Sequence, residues 1–176
     1  GASFTNASGA TYTRSGSGTT TFGVSFTNAG TVEINGGTLA FSSGYTQTAG
    51  ALFLNNGNAS ASSFDLQGGT LKGSGTLTGN VSLGGNLAAS PVTFNVGQSP
   101  GQLTITGNLT LLSTAVTPIE LGGTTQGTGY DFIDVTGSAT LGGTLNLTFV
   151  NGFGSTVTNA DTFTILASDG STITTV

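Results

Sequence analysis

The chain has 176 residues and a formal net charge of −5, and Gly, Thr, Ser and Asn together supply 97 of its residues. Nine side chains carry charge (Arg14, Lys72, Glu33, Glu120, Asp65, Asp131, Asp134, Asp161 and Asp169), and Cys, His, Met and Trp are absent. This inventory excludes thiol nucleophiles, a Ser-His-Asp triad and the zinc, haem and iron–sulfur sites that Cys and His build. Two cations cannot form the basic footprint that phosphate backbones or anionic lipids require, so no nucleic-acid partner is expected.

Residues 1–30 lack the basic start and apolar core of a secretory leader, as expected of a processed chain or a piece of a longer one. No apolar run approaches the ~18 residues of a spanning helix, so no membrane insertion is expected. Gly and β-branched Thr are poor helix formers, and no window carries an i, i+3, i+4, i+7 apolar stripe. Alternation at period two predicts short strands instead. In chain order these include Thr31-Val32-Glu33-Ile34, Thr38-Leu39-Ala40-Phe41, Ala51-Leu52-Phe53-Leu54, Leu103-Thr104-Ile105-Thr106, Leu145-Asn146-Leu147-Thr148-Phe149 and Thr162-Phe163-Thr164-Ile165. Gly, Asn or Gly-Gly separates most of them, which is strand punctuation.

A step of Gly, then Thr, Asn, Ala or Gln, then Leu or Val starts at Gly30, Gly37, Gly50, Gly69, Gly75, Gly79, Gly85, Gly101, Gly107 and Gly143. Several gaps fall near multiples of six. A strand plus its corner therefore takes about six residues, and three units predict a coil of about 18–20 residues, the rung of a β-solenoid. One Leu, Val or Ile per unit is expected to face inward, with Thr, Ser and Asn outward and Gly at the corners. Lone Gly corners outnumber the two-residue Asn-Gly turns of hairpins. Residues 1–112 are read as solenoid rungs.

Beyond Pro118 the acidic and aromatic residues concentrate and the Gly steps break, while Gly129–Gly137 and Leu141–Leu147 read as longer strands. A solenoid exposes the backbone and core of its last rung. Residues 113–176 are accordingly expected to form the final rungs and a C-terminal β cap, continuous with the solenoid. Gly122-Gly123-Thr124-Thr125-Gln126-Gly127 is the loosest stretch.

The phrases Phe26-Thr27-Asn28-Ala29-Gly30-Thr31-Val32, Tyr45-Thr46-Gln47-Thr48-Ala49-Gly50 and Gly68-Gly69-Thr70-Leu71-Lys72-Gly73-Ser74-Gly75-Thr76-Leu77 recur in style along the chain. With Ser99-Pro100-Gly101-Gln102-Leu103 and Tyr130-Asp131-Phe132-Ile133-Asp134-Val135-Thr136-Gly137, they resemble the strand repeats and passenger-end region of bacterial autotransporter-like and large surface adhesin-like proteins. The resemblance implies a right-handed parallel β-helix displayed outside a bacterial cell. It brings no catalytic motif and no cofactor. The membrane barrel that often ends such proteins is not among these residues.

Asp131 and Asp134 are the candidate metal ligands or catalytic carboxylates. On a strand, i and i+3 point to opposite sides, so hydrogen-bonded strand ends are the plainer reading. Tyr12, Tyr45 and Tyr130 are candidates for stacking on glycans, and the Phe residues read as core. Lys72 reads as a solvated corner residue. Thr-x-Thr pairs such as Thr46/Thr48, Thr76/Thr78, Thr104/Thr106 and Thr172/Thr174 fall at irregular intervals, whereas an ice-binding face needs one per coil; outward Thr in strands is expected in any case. The sequence therefore predicts a non-enzymatic structural or adhesive extracellular module. Two alternatives are a self-assembling filament subunit, with the chain itself as partner, and a glycan-binding module.

Overall fold

Strands of four or five residues ended by glycine cannot build a broad flat sheet, because the chain turns after only about two side chains on each side. The chain winds instead. In the computed structural model, which describes residues 1–85, 91–98, 100–170 and 173–175, nineteen strands stack as successive turns of a parallel β-helix. Asn86 and Leu87 of the Gly85 step, Ser99 and Thr172 lie outside the described residues.

Coil one holds β1 (Ser3–Asn6), β2 (Thr11–Arg14) and β3 (Thr19–Phe22), and coil two holds β4 (Ser25–Asn28), β5 (Thr31–Ile34) and β6 (Thr38–Phe41). Coil three takes β7 (Tyr45–Gln47), β8 (Ala51–Asn55) and the start of β9 (Asn58–Leu66). The end of β9 and most of β10 (Gly69–Leu83) make coil four, and the end of β10, β11 (Val92–Val96) and β12 (Gln102–Thr106) make coil five. Coil six is β13 (Leu109–Leu111), β14 (Ala115–Leu121) and β15 (Phe132–Val135); coil seven is β16 (Ala139–Leu141), β17 (Thr144–Phe149) and β18 (Leu166–Ser168). β19 (Ile173–Thr175) begins the next turn.

Each strand pairs in parallel with its counterpart one coil on, giving three faces. Face one runs β1, β4, β7, the ends of β9 and β10, β13, β16 and β19. Face two runs β2, β5, β8, the start of β10, β11, β14 and β17. Face three runs β3, β6, the start of β9, the middle of β10, β12, β15 and β18.

The coil length differs from the expected 18–20 residues. On face one the register steps from Phe4 to Phe26 to Tyr45 to Phe64 to Val81, which is 22, 19, 19 and 17 residues. It then widens to Leu109, Ala139 and Ile173, or 28, 30 and 34 residues. Corners absorb the excess while the strands stay in register. The cost of lengthening a surface connection rises only with the logarithm of its length, so wide coils stack as narrow ones do.

Several strands also bury two side chains rather than one. Val32 and Ile34 in β5, Leu39 and Phe41 in β6, and Leu52 and Leu54 in β8 all point into the axis and are buried. Four-residue strands with period two place two residues on each side. Each such leucine is stabilising by about 2 kcal/mol on area grounds. Aromatic rings stack along the axis as well: Phe4, Phe26, Tyr45 and Phe64 follow one another at centroid separations of 5.0, 5.7 and 5.8 Å.

At the C-terminal end, Thr162–Ile165 is a loop rather than the expected strand. Phe163 sets its ring edge-on to Tyr130 at 5.2 Å and to Phe153 at 6.0 Å, the latter in a 3₁₀ turn spanning Phe153–Ser155. The Ile165 carbonyl still accepts the Ile133 N–H at 2.9 Å, and aromatic contacts anchor the rest of the loop. This loop, β18 and β19 cap faces three and one, whereas face two ends on β17, whose six residues are all exposed.

Candidate functional site

Polar side chains were expected outside, yet several lie inward, three of them in one column. Asn6, Asn28 and Gln47 are buried and occupy one register column of face one. The Asn6 Nδ2 group donates to Asn28 Oδ1 at 2.8 Å and to the Thr31 carbonyl at 2.9 Å. Asn28 repeats the pattern one coil later, donating to Gln47 Oε1 at 3.2 Å and to the Ala51 carbonyl at 3.1 Å. Gln47 then donates to the carbonyls of Gly68 and Thr70 at 3.0 and 3.2 Å. A buried amide is tolerated only when its donors and acceptors are matched, and here the backbone of the adjoining corner supplies what the column does not. The column closes with Leu66, the next residue in register. The signal was present in the sequence: Ser3-Phe4-Thr5-Asn6-Ala7 and Ser25-Phe26-Thr27-Asn28-Ala29 are the same pentapeptide.

Asp131 is fully buried, and both of its oxygens are taken: Oδ1 accepts the Gly101 N–H and Oδ2 the Glu120 N–H, each at 2.8 Å. It ties coil five to the strand β14 that precedes it in its own coil. Asp134 sits on β15 in register between Thr104 and Ala167, half-buried on the outer side of the strand. The two carboxylates therefore do not converge on one ion. Among the described residues no three Asp or Glu side chains gather into a metal-binding group.

Burial pushes the Asp131 carboxyl above the usual carboxylate range and nearby Glu120 adds to the rise, while the two backbone N–H bonds pull it down. The folded chain thus holds this proton more tightly than the unfolded chain does. The stabilisation is fully present below the unfolded value of about 3.9 and is lost as pH rises through the folded value. Asp131→Asn removes this slope and also loses one backbone bond, worth about 1–3 kcal/mol. Urea midpoints collected from pH 3 upward are expected to show a wild-type advantage that narrows as pH rises; parallel curves would refute the assignment.

The three tyrosines separate. Tyr45 is buried in the aromatic stack and its hydroxyl donates to Gln47 Oε1 at 3.0 Å; burial raises its pKa far above the ordinary range, so it stays a neutral donor. Tyr130 is buried against Phe163. Neither presents a ring face to a sugar, because both are buried. Tyr12 alone is half-exposed, at the N-terminal end beside Phe4 and Phe22.

Arg14 is buried too. Its guanidinium donates to the corner carbonyls of Gly16, Ser17, Gly18 and Gly36, with 2.9 Å to Ser17 and 2.6 Å to Gly18. Lys72 stands within β10 rather than at a corner, its ammonium 4.6 Å from the centroid of Phe53 one coil back.

The irregular spacing of Thr in the sequence does not carry into space. Thr5, Thr27 and Thr46 share one outer column of face one with Thr110, Thr140 and Thr174, interrupted by Asp65 and Ser82. Corners of unequal length bring unequally spaced residues into line. The broken column leaves a polar outer wall of mixed hydroxyl, amide and carboxylate groups.

The largest departure from a sealed surface is the C-terminal end. On β17, Leu145, Leu147 and Phe149 are 51, 58 and 52 % exposed, although they stand in register with inward-facing Thr117, Ile119 and Leu121. Beside them a cavity of about 370 Å³ opens between coils six and seven, lined by Leu111, Ile119, Ile133, Leu141, Leu145 and Ile165. Exposed apolar patches of this kind mark interaction surfaces. Among the described residues no helix is long and apolar enough to cross a membrane. Comparison with protein-family models, with curated proteins and with solved structures finds no match for this chain.

Proposed function

We propose that this chain is a non-enzymatic structural or adhesive module, a stiff β-solenoid segment of a bacterial surface or secreted protein. The observation that carries the reading is the uninterrupted register of seven coils across connections of very different length. A stack held on three faces by parallel ladders resists bending, and its contacts are nearest-neighbour. Its ionisable groups also serve the fold. The buried carboxylate of Asp131 and the buried guanidinium of Arg14 are both spent on backbone groups, which favours a mechanical role over catalysis. Extracellular placement rests on the likeness of its strand repeats to surface-displayed passengers. With Tyr45 and Tyr130 buried, glycan stacking falls to Tyr12 alone.

Mechanical unfolding tests this directly. Pulled from its two ends, the chain should lose one coil at a time. Released contour should come in steps between about 60 and 115 Å, the extended lengths of 17- and 34-residue coils at about 3.4 Å per residue. Smooth extension without steps would contradict a stiff stacked spacer.

A further inference from the structure

We propose that a trough on the outer side of face one, midway along the stack, binds a neutral saccharide. This rests on the adhesive side of the reading above and names its ligand class and site. The trough is a cavity of about 330 Å³ open to solvent. Ser63, Asn80 and Asn108 form one wall, and Asp65, Ser82 and Thr110 form the other, each wall running over coils four to six. Between the walls stand Phe64 and Val81, whose side chains are buried inward, so no side chain rises from the floor. A bulge lies at its head: β9 spends three steps from Ser60 to Ser63 where β10 spends two from Thr78 to Asn80. An extra residue of this kind bends the strand and re-aims the side chains beside it.

The fold fixes the polar groups of both walls and leaves a definite pattern outward. Asn80 Oδ1 accepts the Asn108 N–H at 3.1 Å, and Asn108 Oδ1 accepts the Ser138 N–H at 2.9 Å. Each amide oxygen is thereby turned to the next coil, and each Nδ2 group is left at the rim as a donor. On the opposite wall Gln67 Nε2 donates to Asp65 Oδ2 at 2.7 Å, which holds the carboxylate and leaves Oδ1 as an acceptor. Asn80 and Asn108 are exposed and Asp65 is half-buried, so all three are within reach of a ligand in the trough.

Two donors facing one acceptor select the ligand. An anion would meet Asp65, the one charged side chain on the face-one strands. A calcium ion needs six to eight oxygens and would meet one carboxylate and two amide donors. A hydroxyl both donates and accepts, so neighbouring hydroxyls of one sugar ring can receive from Nδ2 and donate to Oδ1. The volume lies at the small end of ligand sites, which suits a short saccharide. Recognition is by hydrogen bonds exchanged against water, without an aromatic platform, so the expected Kd is about millimolar. A surface module gains from such a site through multivalent display.

Nuclear magnetic resonance of the isotope-labelled chain, titrated with the methyl pyranosides of glucose, galactose and mannose, tests this. At least one of the three should shift the side-chain amide signals of Asn80 and Asn108 and the backbone signal of Ser82, and the shifts should saturate. Sodium acetate and calcium chloride should leave the same signals in place. Asn80→Asp keeps the oxygen that the Asn108 N–H needs and exchanges the rim donor for an acceptor; it should weaken the sugar about tenfold. Asp65→Ala should weaken it by about as much, and Asn80→Asp decides the matter even if Asp65→Ala disturbs the fold. Lys72→Gln, on face two, should leave the titration unchanged. A trisaccharide of the sugar that binds should bind more tightly if the trough takes a chain, and no more tightly if it takes a free sugar. No saturable shift with any of the three sugars overturns the inference, as do shifts that Asn80→Asp leaves undiminished or a response to acetate or calcium alone. The coil-by-coil unfolding would then still stand, because it depends on contacts between coils and not on this wall.

Discussion

Asn28→Leu is expected to lower the free energy of unfolding by about 4 kcal/mol, because it strands several buried polar partners at once. The replacement has a suitable volume, and leucine occupies the same column at Leu66. Shape is therefore not what is lost. Asn28 accepts from Asn6 Nδ2 and from the Gly30 N–H, and donates to Gln47 Oε1 and to the Ala51 carbonyl. Each of these groups is left without that partner in the axis. Total stabilities run about 5–15 kcal/mol, so the loss is a large share. Replacing Asn6, Asn28 and Gln47 together by leucine should cost clearly less than the sum of the three single changes, since side chains that would have been orphaned are removed along with their partners. Urea denaturation of the three singles and the triple checks both statements; strict additivity would mean that the amides do not act as a column.

Gly50→Ala is expected to be as damaging for a different reason. Gly50 has φ +71°, and a Cβ there would lie 1.8 Å from the Gly30 carbonyl oxygen one coil back. The backbone of the neighbouring coil cannot rotate aside as a side chain could. The left-handed conformation costs about 1–2 kcal/mol for an L side chain, and overpacking adds about 1–3 kcal/mol, so the total is near 4. Gly9→Ala separates the two contributions. Gly9 has a similar φ of +79° with nothing within 4 Å of the added atom, so it should lose only the conformational part. Equal losses at the two sites would show that the coils are not as closely spaced at this corner as described.

These effects indicate which features were legible beforehand. Glycine corners and period-two strands declare a solenoid, since many four-residue strands joined by short glycine-containing corners stack readily as successive coils. The inward amide column was not read, because Asn in a polar-rich chain looks like surface. Its mark was the repeated Ser-Phe-Thr-Asn-Ala at residues 3–7 and 25–29, which places Asn6 on Asn28 and Phe4 on Phe26. Tyr45 was misplaced for the same reason: only its register with Phe26 shows that it belongs to the axis. Asp131 precedes β15 and Asp134 lies within it, and the two N–H groups that occupy Asp131 come from Gly101 and Glu120, at distances in sequence that no local pattern reveals. The widening of the later coils was hidden too, because corner length leaves no periodic trace.

The central claim is that unequal coils stand in one register from end to end. Spin labels at Thr5→Cys and Thr140→Cys test it most directly, in a chain that has no other cysteine. The two positions share an outer column through Thr27, Thr46, Asp65, Ser82 and Thr110, six coil steps apart. At about 4.8 Å per step, pulsed dipolar spectroscopy should give a single narrow distance near 29 Å, although 135 residues separate the labels. A broad distribution, or a mean far from that length, would show that the later coils do not continue the stack.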